Sequence, residues 1–180
     1  MIVKDNLLKD VMKMGGDIVD SKRFAKARNV PHHSKDGSIA AHSLETACYA
    51  LWLARWLNRH GVQVSEEDVV RASLLHDIGM TEDDVFLSRS SEKAHTHPLE
   101  GARIAREEFG ANEKQVDAIL QHMWPCCTMV PPHHAVGWVL TMADKLCSLN
   151  DVKRIFQKHQ RQWGTEGCPY RFVKALGGRF

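Results

Sequence analysis

Six side chains able to bind a metal recur in order along the 180-residue chain: His42, the doublet His76-Asp77, His97, His122 and Asp144. Most of them lie beside apolar segments. Leu74-Leu75 leads into the doublet, Ala118-Ile119-Leu120 precedes His122, and Asp144 falls inside the run from Val139 to Leu146. An ionised carboxylate in an apolar run is costly unless it is paired or bound to a cation, so Asp144 requires a partner, and a metal is a natural one. Taken singly, each residue also has an ordinary reading. His76-Asp77 would suit a helix end with a cap-like acid, His97 is a residue before proline, and His122 reads as a satisfied core histidine.

The local contexts add a resemblance. Ala41-His42-Ser43, Leu74-Leu75-His76-Asp77-Ile78-Gly79 and Met142-Ala143-Asp144-Lys145 resemble the H…HD…D signature of the HD-domain metalloenzyme superfamily, over about residues 38–150. His97-Pro98-Leu99-Glu100-Gly101-Ala102 resembles the H-x-x-x-G-A helix start of the branch that binds two metals, and His122 resembles that branch's next ligand. The resemblance implies a first metal held by His42, His76, Asp77 and Asp144. It implies a second held by His97 and His122, with Asp77 bridging the two. The cofactors expected are therefore two divalent ions, drawn from Fe, Mn, Co, Ni or Zn, which imidazole and carboxylate donors suit.

A carboxylate shared between two cations lets them approach to about 3.5–4 Å, and a water between them loses its proton near neutral pH. The expected function is hydrolysis of a phosphomonoester or phosphodiester of nucleotide type by a metal-bridged hydroxide. His76, Asp77 and Lys145 are the expected catalytic group. The superfamily's substrates include nucleoside monophosphates, dinucleoside polyphosphates and cyclic dinucleotides. The chain lacks the G-Y-P element of the cyclic-dinucleotide branch, which ranks that class lower. The alternative is a mixed-valent di-iron oxygenase, because the same ligand types serve water or dioxygen. A binding module with a vestigial site is a third reading, disfavoured by the complete ligand set.

Lys145 follows Asp144 where the superfamily commonly has a basic residue and is the first candidate for substrate phosphate. Arg89, Lys93, Lys35 and His95 are further candidates, set against the plainer reading of solvated loop residues. His32, His33, His133 and His134 are expected in exposed loops, and His60 and His159 at solvated helix ends. Trp52 and Trp56, four residues apart, read as core or interface.

The elements that must position these residues are helical. Apolar residues recur at helical spacing nearly throughout, and no convincing stretch alternates with period two. Helices are expected over about 5–14, stopped by Gly15-Gly16, over 17–28, and from Ile39 to His60, stopped by Gly61. Ser65-Glu66-Glu67-Asp68 opens another that runs to about Ile78-Gly79. A polar connection, Met80 to Thr96, precedes a helix opened by His97-Pro98. Asn112 starts the next, and apolar helices cover Ala135–Leu149 and about 151–163, with 31–37 and 124–132 as loops. The expected fold is a single all-α bundle of six to eight helices. Its parts are an N-terminal extension (1–37), the metal-binding domain (38–150) and a C-terminal helix and tail (151–180).

Composition narrows the class. Apolar residues make up 43% and charged residues 26%, which excludes a disordered chain. Net charge is +2, too balanced to argue for a nucleic-acid polymer or an anionic membrane. The expected partner is a small phosphoester, with a homodimer as one option for assembly. The five cysteines form no C-x-x-C pair, and no leader segment opens the chain, so a cytoplasmic protein is expected. The eleven histidines, against two tyrosines, stand out from an otherwise ordinary composition.

Overall fold

Short polar side chains set most of the helix starts. Ser21, Ser38, Ser65 and Asn112 each accept a hydrogen bond from the backbone N–H three residues on. Each thereby satisfies a donor that the first turn leaves open. They open α2 (Lys22–Ala27), α3 (Ile39–Arg59), α4 (Glu66–Leu75) and α6 (Glu113–Gln121). The remaining helices are α1 (Ile2–Val19), α5 (Ser90–Phe109) and α7 (Ala135–Trp163). Gly61 and Gly110, at φ 87° and 62°, supply the left-handed residues after α3 and α5. The computed structural model describes residues 2–163 apart from 33, 84 and 86–88, and among these it contains seven α-helices. The fold is all-α, as expected.

Four local features differ from the sequence reading. First, Gly15-Gly16 does not end the first helix. Gly15 only kinks it, because α1 lies so close to α4 that a Cβ at Gly15 would stand 2.3 Å from Leu74 Cδ1. Val11 and Ile18, buried on either side of the kink, hold both halves down. Second, α5 starts at Ser90, seven residues before His97-Pro98. Glu92 Oε2 accepts from the Arg89 N–H at its start, and Pro98 is carried inside the helix. Third, 31–37 is no irregular loop: β1 (Pro31–His32) and β2 (Ser34–Ser38) pair antiparallel as a short ribbon leading into α3. Fourth, the two expected C-terminal helices are one, since neither glycine nor proline interrupts 138–163. The tail from Gly164 lies outside the described residues.

The core forms where α4 packs against α1, α3, α6 and α7, while α5 packs on α6 and on the 3₁₀ turn Ile78–Thr81. Leu51, Leu74, Leu75, Ile104, Ile119 and Leu140 have no exposed surface. Full burial of such a side chain contributes about 1.5–3 kcal/mol, and with the rest of the buried core this group packs the bundle around its polar centre. Trp52 and Trp56 are not part of it. Both are exposed on the outer face of α3, where the Trp56 ring packs on that of His60. No helix among the described residues is long and apolar enough to cross a membrane.

Candidate metal centre

His42 lies in the first turn of α3, and His76 and Asp77 follow the last residue of α4. Adjacent residues in a continuing helix would point about 100° apart. Asp77 leaves helical geometry, at φ −102° and ψ 5°, to start the 3₁₀ turn, and this corner lets both side chains face the same point. His97 enters from the middle of α5, His122 from the end of α6, and Asp144 from α7. All six are buried, and the structure brings them together at the centre of the bundle.

The Asp77 carboxylate stands between two groups of imidazoles. Its Oδ2 lies 3.3 Å from His76 Nε2 and 3.9 Å from His42 Nε2. Its Oδ1 lies 3.3 Å from His97 Nε2 and 3.6 Å from His122 Nε2. Asp144 Oδ1 closes the first group, 3.0 Å from His42 Nε2 and 3.6 Å from His76 Nε2.

The outer ring nitrogens show what this cluster is prepared to hold. Nδ1–H of His76 donates to the Ser73 carbonyl at 2.8 Å, that of His97 to Lys93 at 2.6 Å, and that of His122 to Ile119 at 2.7 Å. Each ring is therefore oriented by its own helix with Nε2 turned inward, where its lone pair is available to a metal that displaces any proton there. In consequence His97 Nε2 and His122 Nε2 face each other across 3.1 Å, and neither neutral ring has a proton left to place between them. His76 Nε2 is buried without a hydrogen-bond partner. Inward-turned Nε2 atoms, two buried carboxylates and an orphaned buried nitrogen fit a cation. Three residue groups meet the spacing of a metal site: His32/His42/Asp77, His42/His76/Asp144 and His76/Asp77/His122.

Charge follows the same pattern. Burial would raise the Asp77 carboxyl, but His76, His122 and His32 hold it well below the usual carboxylate range. Burial works likewise on Asp144, where His42 and His76 prevail and its pKa falls far down. Burial would lower His76, yet Asp77 and Asp144 push it well above the usual imidazole value. For His122 burial wins, and its pKa is lowered. The centre thus keeps both carboxylates ionised.

The HD domain family model matches residues 39–134. The chain belongs to the HD-domain family. The match takes in His42, His76-Asp77, His97 and His122, and stops before Asp144, which reaches the HD domain's centre from α7. HD domains form a superfamily of metal-dependent hydrolases that bind divalent metals, and the buried His/Asp groups here are able to hold them. Searches of curated proteins and of solved structures gave no match.

A cavity of about 430 Å³ opens onto the centre of this HD domain. Asp77, His97, His122 and Asp144 face it, with Lys93, Cys126, Lys145 and Ser148 around them. Of the basic residues singled out in the sequence, Lys93 and Lys145 therefore reach the cavity. Arg89 and His95 do not line it; both are exposed, and Arg89 sits at the start of α5. The Lys35 side chain lies outside the described residues.

The sequence reading missed one residue. His32, expected on the surface, is only 7% exposed, because the ribbon turns it inward onto the centre. Its Nε2 stands 3.1 Å from Asp77 Oδ2, and its ring stacks on His42 with centroids 4.0 Å apart. No spacing rule connects a ribbon residue to helix termini, so this placement had no signal short of the tertiary fold. His60, His95, His133 and His134 are exposed, as expected of all but His95's alternative pocket reading. His33 and the His159 side chain lie outside the described residues.

Proposed function

We propose that the chain is a dinuclear metal-dependent phosphohydrolase acting on a small phosphomonoester or phosphodiester, nucleotides being the first class to test. The observation that carries this reading is Asp77, whose two oxygens face two separate imidazole groups. His42, His76, Asp77 and Asp144 would hold the first ion. His97, His122 and Asp77 would hold the second. Bound divalent ions supply Lewis acidity toward a phosphoryl oxygen and acidify a water to near neutral pH.

The chain's own groups do the rest. The Nδ1–H bonds to helix carbonyls orient His76, His97 and His122, so that no reorganisation is needed when ligands bind. Lys145 is anchored by one bond, from Nζ to the His122 carbonyl at 3.1 Å, which leaves its other protons for a phosphate oxygen at the cavity wall. Lys93 brings a second cation to the same wall. A cavity of about 430 Å³ suits a small ester rather than a polymer.

The test is to strip the protein of metal, reload it with Mn²⁺, Co²⁺, Ni²⁺ or Fe²⁺, and assay phosphate release from nucleoside monophosphates and simple aryl phosphates. Metal-dependent release supports the reading. Oxygen consumption by the iron-loaded protein without phosphate release would favour the oxygenase alternative. A protein that takes up no metal would exclude both.

A further inference from the structure

The ribbon that precedes α3 serves the metal centre directly. Pro31 pairs with Ser38 and His32 with Ser34, and the Ile39 N–H donates to the Val30 carbonyl at 3.0 Å, so the ribbon is fastened across the start of the helix that carries His42. This places the His32 ring flat against the His42 ring, 30° from parallel, and brings its Nε2 to Asp77. The oxygen it meets is Oδ2, the one that also faces His42 and His76. Ligand atoms of His32, His42 and Asp77 all lie within 4.8 Å of one another. A histidine placed only to fill space would not bring a ring nitrogen to the oxygen that the first metal would use.

We propose that His32 is a fifth protein ligand of the first metal. The inference rests on the dinuclear reading above and deepens it. With His42, His76, Asp77 and Asp144, it would fill five of about six positions open to an octahedral ion. The second ion would have only His97, His122 and Asp77. The two sites are then unequal: exchangeable positions concentrate at the second metal. His97 and His122 face the same cavity as Lys93 and Lys145. A phosphoryl oxygen would accordingly find its open positions at the second metal, beside the two lysines, although His32 and Asp144 of the first site line the same cavity.

The competing role for His32 is a hydrogen-bond donor that merely steadies Asp77, and the experiment separates the two. Metal-free full-length protein, His32→Ala and His32→Gln are titrated with Co²⁺, following heat and visible d–d absorption. As a ligand, His32 is needed for one of two binding events. That event weakens more than about 100-fold in both variants, beyond the range typical of losing a partner that only steadies a ligand, while the other stays within twofold. The Co²⁺ spectrum of the weakened site shifts in both variants, and added imidazole restores it in His32→Ala. If His32→Gln keeps the wild-type affinity and spectrum, the amide has replaced a donor and His32 is not a ligand. Unchanged titrations in both variants overturn the proposal equally. Wild-type protein that binds no Co²⁺ overturns the dinuclear reading itself, a result distinct from two unchanged sites. Far-UV circular dichroism of the metal-free variants shows that they are folded, and His32→Gln, which keeps much of the side-chain volume, serves if the alanine variant is not.

Discussion

Gly79 lies directly against the backbone of His97. A Cβ on Gly79 would stand 2.2 Å from the His97 carbonyl oxygen and 2.6 Å from the Gly101 nitrogen. The corner that carries His76 and Asp77 approaches α5 this closely because Gly79 and Gly101 put bare backbone at the contact, with the Glu100 Cβ beside it. Gly101 contributes from the other side, since its own Cβ would meet the His76 carbonyl oxygen at 3.1 Å. Gly79→Ala must push the corner and α5 apart. The expected loss is about 1–3 kcal/mol of stability, typical of overpacking, together with weaker metal binding. Denaturant unfolding and metal analysis check both; a wild-type midpoint with two metals retained would show that the contact yields freely.

The ligand division around Asp77 predicts a specific stoichiometry. Replacing His97 and His122 together with alanine removes the imidazoles on the Oδ1 side and leaves the Oδ2 side intact. The variant is expected to lose about one metal per chain by elemental analysis, with little or no hydrolysis remaining. Two metals retained would refute the assignment of these histidines.

Lys145 is predicted to act on substrate and not on metal. Its Nζ is tied to the His122 carbonyl and faces the cavity. Lys145→Ala should reduce kcat/KM for a phosphoester about tenfold, or about 1.4 kcal/mol, a typical value for a charge-assisted hydrogen bond. Metal content should be unchanged, which distinguishes a phosphate contact from a structural tether.

A prediction for acid stability lies away from the centre. Arg71 on α4 binds both oxygens of Asp17 on α1, at 2.8 and 2.9 Å, and also donates to the Met14 and Phe109 carbonyls. The Arg71 bonds hold the Asp17 carboxyl below the usual range, with burial opposing them. The unfolded chain therefore takes up this proton first as pH falls. The contribution is fully present above the unfolded pKa of about 3.9 and is lost as pH falls through the folded value. Because Asp17 is more than half exposed, Asp17→Asn should cost no more than about 1 kcal/mol at pH 7. The difference from wild type should shrink below about pH 4 in urea unfolding series. Curves that stay parallel down to pH 2 would show that the pair does not titrate as described.

Much of the helical frame was legible locally. Ser65 and Asn112 announce helix starts because a short side chain can bond the open N–H of the next turn, whatever surrounds it. Gly61 and Gly110 announce stops because only a left-handed residue closes the turn there. The errors arose where packing overrode local preference. Gly15 is retained within a kinked α1 by its closeness to Leu74, and Pro98 is tolerated inside α5, which had begun at Ser90.

By itself, the sequence determined the helical class and the order of the six residues His42, His76, Asp77, His97, His122 and Asp144, since capping, periodicity and motif order are properties of the chain. Which oxygen of Asp77 faces which imidazoles, and that Lys145 reaches the cavity while Arg89 does not, was decided only by the tertiary structure. The clearest case is His32, which is surface-like in its polar Pro-His-His-Ser setting and buried in the fold. A ribbon residue acquires its partners from the helix termini packed beneath it, and those contacts, between residues 45 positions apart in the case of His32 and Asp77, exist only once the bundle has closed.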